Sequence, residues 1–158
     1  MPKVSGARLR PGDVLEADCD DGLALLGYVG RHHHFGDLVL VPPRIFAARV
    51  DKVCSVFDAS AYFQFYPATA ALRHGMVRKV GFCTEAMRVI PTRWCNIIDQ
   101  RDDGTVRIWN VCDGTSRLVR HSLSDEERQL PAGVIVNHAA LLDRLRTGWT
   151  PARYHSPG

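Results

Sequence analysis

Three adjacent histidines, His32, His33 and His34, are the most conspicuous chemical feature of this chain. Neutral imidazole is the commonest protein metal ligand, and its proton comes off near neutral pH. Adjacent residues of an extended segment point to opposite faces, so three in a row do not converge easily on one ion. No His-Glu-x-x-His spacing accompanies them. A solvated histidine loop is therefore expected, with no metal and no cofactor. Five cysteines, Cys19, Cys54, Cys83, Cys95 and Cys112, are scattered without a Cys-x-x-Cys pair. Neither a zinc ribbon nor a thioredoxin-type redox site is signalled. Such cysteines in a reducing compartment behave as small buried hydrophobes, which is the expectation for each of the five. A Cys or Ser nucleophile needs a base and an orienting group. Nothing local selects a pair, and there is no Gly-x-Ser-x-Gly elbow and no phosphate-binding glycine loop. The chain is expected not to be an enzyme.

Charged and aromatic residues offer binding chemistry instead. Asp13, Glu16, Asp18, Asp20 and Asp21 lie in one turn-rich segment and read as a solvated charged edge. Within it, Asp18, Asp20 and Asp21 are the candidate partner-binding patch, whose carboxylates could mimic phosphates. The middle of the chain carries Arg31, Arg44, Arg49, Lys52, Arg73, Arg78 and Lys79 with aromatics interleaved. A small β-barrel can stack bases on exposed rings beside such charges, so nucleic-acid binding is the alternative reading. Trp and Arg are also the residues that anchor protein interfaces. Alternation puts Trp109 on the same strand face as Arg107, which makes a partly exposed Trp109 the best aromatic anchor.

The elements that must position these groups are mostly strands. Val14–Asp18 and Leu23–Val29 flank Asp20-Asp21-Gly22, a hairpin signal, and Gly27 suggests a bulge in the second strand. Leu38–Val41 is a short apolar strand that stops at Pro42-Pro43. Residues 45–57 fit both periods, with β-branched residues favouring strand. Tyr62–Tyr66 is β-prone. A short helix is expected over Ala68–His74, between Pro67 and Gly75. Met76–Phe82, Pro91–Ile98 and Thr105–Val111 read as further strands, the last two joined by Asp102-Asp103-Gly104. Ser124 followed by Glu127 has capping-box spacing. Asn137 should cap a last helix over His138–Thr147, ended by Gly148. The fold class is mainly β: a strongly bent antiparallel sheet or partial barrel with short helices, the last near the C-terminus.

The 158 residues suggest one domain, with a core over about 11–149 and a tail at 150–158. Hydrophobic residues make up 46% and charged residues 23%, as in ordinary globular chains and unlike disordered ones. Net charge is only +3, without the dense basic footprint of a dedicated nucleic-acid binder. No apolar run approaches the roughly 20 residues of a membrane span. The N-terminal Met-Pro-Lys-Val-Ser-Gly lacks a secretory apolar region, and a cytoplasmic protein is expected.

The order of these pieces resembles a family. Pro11-Gly12-Asp13-Val14, Asp21-Gly22 and Gly27-Tyr28-Val29-Gly30 look like the opening of the bacterial immunity protein 26 family. Phe65-Tyr66-Pro67 with its alanine-rich helix, Val80-Gly81, Pro91, the Trp94 strand, Trp109 and Asp113-Gly114 are similar to its middle. Leu130-Pro131, Asn137 and Arg144-Leu145-Arg146-Thr147-Gly148-Trp149 are similar to its tail. The resemblance implies a non-catalytic cytoplasmic antitoxin, made with a secreted polymorphic toxin that it binds stoichiometrically. It carries over no binding residues.

Overall fold

Alternating apolar residues build the first sheet of the computed structural model, which describes residues 8–155. The N-terminal hexapeptide read above and the end of the expected tail lie outside those residues. Strands β1 (Asp13–Cys19), β2 (Gly22–His32), β3 (Gly36–Val41) and β4 (Tyr62–Phe65) follow one another as antiparallel neighbours. After the helix α1 (Ala68–Arg73), β5 (Arg78–Phe82) returns to the outer side of β1. The resulting order is β4-β3-β2-β1-β5. A second sheet is formed by β6 (Arg93–Gln100), β7 (Val106–Asp113) and β8 (Ser116–Arg120), in that order. The fold is mainly β, both sheets are antiparallel, and neither closes into a barrel.

Both faces of the five-stranded sheet are covered, because successive strand residues point to opposite sides. Leu15, Ala17, Leu26, Val39 and Val41 pack on one side against Ala68 and Ala71 of α1. The same cluster takes Leu141 and Leu145 of α3 (His138–Thr147). Val14, Leu25, Val29, Leu38 and Leu40 form the other face. They are covered by Val56, Phe57, Cys83 and Ala86 from irregular segments, and by Trp94 and Cys112 of the second sheet. Two-sided burial explains why β3 reads as an unbroken apolar run instead of alternating.

Caps behave as their sequences predict. The α2 turn (Asp125–Arg128) starts in a capping box: Glu127 N–H donates to Ser124 Oγ at 3.1 Å, and Ser124 N–H donates to Glu127 Oε1 at 3.0 Å. Asn137 Oδ1 accepts the Ala140 N–H at 2.8 Å, and α3 ends at Gly148. Pro67 contributes no side-chain cap to α1; the buried Asp37 of β3 accepts the Thr69 N–H at 2.8 Å in its place.

Three expectations are corrected, and one strand is added. Residues 45–57 are not a strand: Phe46 forms a single antiparallel bridge to Leu23, and Val53–Val56 is a 3₁₀ turn. Their apolar side chains cover a sheet face without joining the ladder. Gly27 is regularly paired with Val14 and Leu40. The irregularity falls between Tyr28 and Gly30, and Gly27 is needed because a Cβ there would lie 2.6 Å from Ala86 Cβ. Strand β8 pairs with β7 in addition to the expected elements. Finally, residues 150–155 of the expected tail are docked: α4 (Pro151–Tyr154) is capped by Thr150, and Pro151 and His155 are buried.

A strap at 131–136 joins the two sheets. The Cys95 N–H donates to Pro131 O at 2.9 Å, and Gly133 N–H donates to Cys95 O at 3.1 Å. Val136 N–H donates to Phe65 O at 3.0 Å. The buried Gln64 locks this junction. Its Nε2 donates to Phe65 O and Val134 O, and its Oε1 accepts from Arg144 Nη1 of α3 at 2.5 Å. The β4 and β6 edges are thereby engaged, while β5 and β8 are terminal strands of their sheets.

Candidate functional site

The histidine cluster sits where the two sheets meet. His32 ends β2 and is buried, whereas His33 and His34 are exposed in the following turn. His32 Nδ1 accepts the His34 N–H at 3.1 Å and the Phe35 N–H at 3.4 Å. Its ring meets Phe65 and Trp94 edge-on at 5.3 and 5.5 Å, and His34 stacks on Trp94 at 5.5 Å. Burial, then the neighbouring His33 and His34, lower the His32 pKa and favour the neutral ring. With Nδ1 accepting, the neutral ring carries its proton on Nε2, which is buried and finds no partner among the described residues. The solvated loop is thus corrected for His32. It is a packing residue of the inter-sheet junction, held there because Nδ1 closes the turn.

The acidic segment divides into two parts. Asp20 and Asp21 form the two-residue turn between Cys19 and Gly22; both are exposed, and among the described residues neither is in an ion pair. Gly22 closes that turn at φ +145°, and a Cβ there would lie 2.1 Å from the Phe46 carbonyl oxygen. Asp18, 75% exposed at its side chain, is held by Arg78 Nη1 and Nη2 at 3.1 and 3.0 Å. This pairing keeps its carboxyl below the ordinary range. Asp13 and Glu16 are buried, which corrects their reading as part of a solvated edge. Asp13 pairs with Lys79 at 3.0 Å, and Glu16 pairs with Arg78 and with Arg49. Arg78 and Lys79 of β5 lie across from β1, and Arg49 reaches Glu16 from the irregular segment before the 3₁₀ turn, long-range matches that local sequence does not show.

Trp109 is 1% exposed, so the expected anchor is corrected to a core residue. It packs with Cys95, Val106, Val111 and Leu123, and Leu130 closes the cluster. The covering residues come from the loop after β8 and from the turn after α2, which alternation along β7 cannot reveal. Arg107 is exposed and bonded to Asp99 at 2.5 Å. Arg107 and Trp109 belong to the second sheet, and Asp18, Asp20 and Asp21 to the first. The structure therefore divides the predicted site residues between two sheets.

The cations of the middle segment are largely engaged. Arg31 pairs with Asp37, Arg49 and Arg78 with Glu16, and Lys79 with Asp13. Arg88 donates to the Glu85 and Phe57 carbonyls, and Arg44 lies over the Phe46 ring. The more prominent surface feature is apolar. Met76, Val80, Phe82, Met87 and Val89 are exposed on β5 and its flanks, with Val89 at 92%. No local motif marks these side chains, and among the described residues β5 is an edge strand with no further strand beside it.

Cys54 and Cys83 form a disulfide that ties the 3₁₀ turn to the end of β5, with Cα atoms 5.3 Å apart. The expectation of five unpaired cysteines is corrected for these two. Cys19, Cys95 and Cys112 are free thiols, and burial raises the pKa of each. Among the described residues no helix is long and apolar enough to cross a membrane. No family model, curated protein or solved structure matches the chain.

Proposed function

We propose that this protein is a non-catalytic immunity protein that binds and neutralises a protein toxin in the cytoplasm. The observation that carries this reading is the exposed apolar surface on β5 and its flanks, Met76 to Val89. Apolar patches left on a folded surface mark association sites more often than solvent contacts. The resemblance to the immunity protein 26 family points the same way. The Asp20-Asp21 turn stands exposed at one end of the same sheet and supplies a polar element for the interface. A standard interface takes about 800 Å² from each partner, so residues beyond Met76, Val80, Phe82, Met87 and Val89 would have to contribute to it. The pairing of Arg31, Arg49, Arg78 and Lys79 with carboxylates removes much of the basic surface that nucleic-acid binding would use.

Affinity capture of the tagged chain from cells expressing its neighbouring genes tests the reading, with mass spectrometry of what remains at high salt. Retention of one large secreted protein with a separable C-terminal toxin domain supports it. Retention of RNA and RNA-binding proteins alone, lost as salt rises, defeats it, because counterion release makes phosphate contacts salt-sensitive.

A further inference from the structure

The Cys54–Cys83 pair has a third group beside it. Cys54 lies on the 3₁₀ turn Val53–Val56, and Cys83 follows β5 with its N–H bonded to the Gly12 carbonyl at 2.8 Å. Glu85 stands two residues further, on the 3₁₀ turn Thr84–Ala86. The two sulfurs and a Glu85 carboxylate oxygen all lie within 4.8 Å of one another. Among the described residues no other three His, Cys, Asp or Glu side chains come this close. Cys54 and Glu85 also line a cavity of about 660 Å³ with Lys52, Asp51 and Asp58. The three carboxylates of this lining face Lys52, and the Arg88 guanidinium is bonded to the Glu85 and Phe57 carbonyls beside them.

We propose that the reduced Cys54–Cys83 pair, together with Glu85, binds one thiophilic divalent cation of the zinc type. The pair then has two states, a disulfide when oxidised and a metal site when reduced. Cys54 is half-buried and Cys83 fully buried, so an attacking thiolate reaches the Cys54 sulfur and displaces Cys83 thiolate. A second thiol of the same class, such as glutathione, releases Cys54. The net reaction converts one disulfide and two external thiols into two protein thiols and one external disulfide. Metal binding then displaces the two thiol protons and forms two metal–sulfur bonds. Zinc–sulfur bonds of about 2.3 Å in tetrahedral geometry need sulfurs about 3.8 Å apart, which a Cα separation of 5.3 Å permits after side-chain rotation. Glu85 supplies an oxygen, and water from the cavity completes the tetrahedron. This inference is independent of the toxin-binding reading.

The test uses the full chain, reduced with a phosphine, freed of reductant without oxygen and titrated with zinc chloride alone. Calorimetry should show one ion per chain, with heat that depends on buffer ionisation because protons leave. A cobalt titration should give a thiolate-to-metal charge-transfer band. The C54S/C83S variant keeps Cys19, Cys95 and Cys112 and should bind at least about 100-fold more weakly. E85Q should weaken binding by about tenfold. Oxidised wild-type protein retains every other donor and provides the same control if the double variant does not fold. Equal zinc affinity of oxidised and reduced protein overturns the proposal, as does unchanged affinity in C54S/C83S.

Discussion

Acid should destabilise this fold through His155, and the size of the effect can be worked from its surroundings. The ring is fully buried, and among the described residues neither nitrogen makes a close hydrogen bond. Burial pushes its pKa from 6.5 down to about 4, and the nearby Leu130 backbone offsets only part of that shift. A base with a depressed native pKa stays neutral in the folded state while the unfolded chain takes up a proton. Its stabilisation is therefore complete above about pH 6.5 and is lost as pH falls toward 4. The lowering from 6.5 to about 4, at about 1.4 kcal/mol per pH unit, corresponds to about 3.5 kcal/mol, of which about 3 kcal/mol is lost between pH 7 and pH 4. Burial also lowers the His32 and His138 pKa values, which act in the same direction. Urea unfolding of wild type and His155→Leu between pH 7 and pH 4, followed by tryptophan fluorescence, isolates the term. The carboxylates titrate in both proteins and cancel in the difference. Relative to wild type, the variant should gain about 3 kcal/mol across this range. Parallel pH dependences would show that His155 does not carry the linkage.

Further outcomes follow from named contacts. Gly27→Ala places a methyl 2.6 Å from Ala86 Cβ and 3.0 Å from Phe57, and should cost about 1–3 kcal/mol in urea unfolding; an unchanged midpoint would contradict tight packing there. Gln64→Leu strips the Val134 carbonyl and Arg144 of a buried partner and should cost about 2–3 kcal/mol, with faster amide exchange in the 131–136 strap. Reducing the Cys54–Cys83 disulfide in metal-free buffer releases a loop with a sequence separation of 29 and should lower unfolding free energy by about 3–4 kcal/mol; matching curves for oxidised and reduced protein would refute a stapling role. Asp20→Lys with Asp21→Lys should leave the circular dichroism unchanged and weaken binding to the captured toxin by at least about tenfold in calorimetry, equivalent to about 1.4 kcal/mol.

Much of the fold was legible where the signal is local. The β1–β2 hairpin, the apolar run of β3, the β6–β7 pair, the Ser124 capping box and the Asn137 cap depend on residues within a few positions of one another. Sequence alone therefore determined a mainly β chain with short late helices. Tertiary structure decided what distant segments cover or complete. Trp109 is core because Leu123 and Leu130 fold over it, although its alternation with Arg107 suggested exposure. Residues 45–57 lack a clean period because they blanket a sheet face from outside the ladder. Strand β8 is exposed at four of its five residues, so no burial pattern marks it. Asp13 and Glu16 became buried partners only when β5 brought Lys79 and Arg78 alongside β1. Cys54 and Cys83 met because β5 delivers one to the turn holding the other. A strand's neighbours are chosen by the whole chain, and residues 29 or 60 positions apart leave no mark on each other's local sequence.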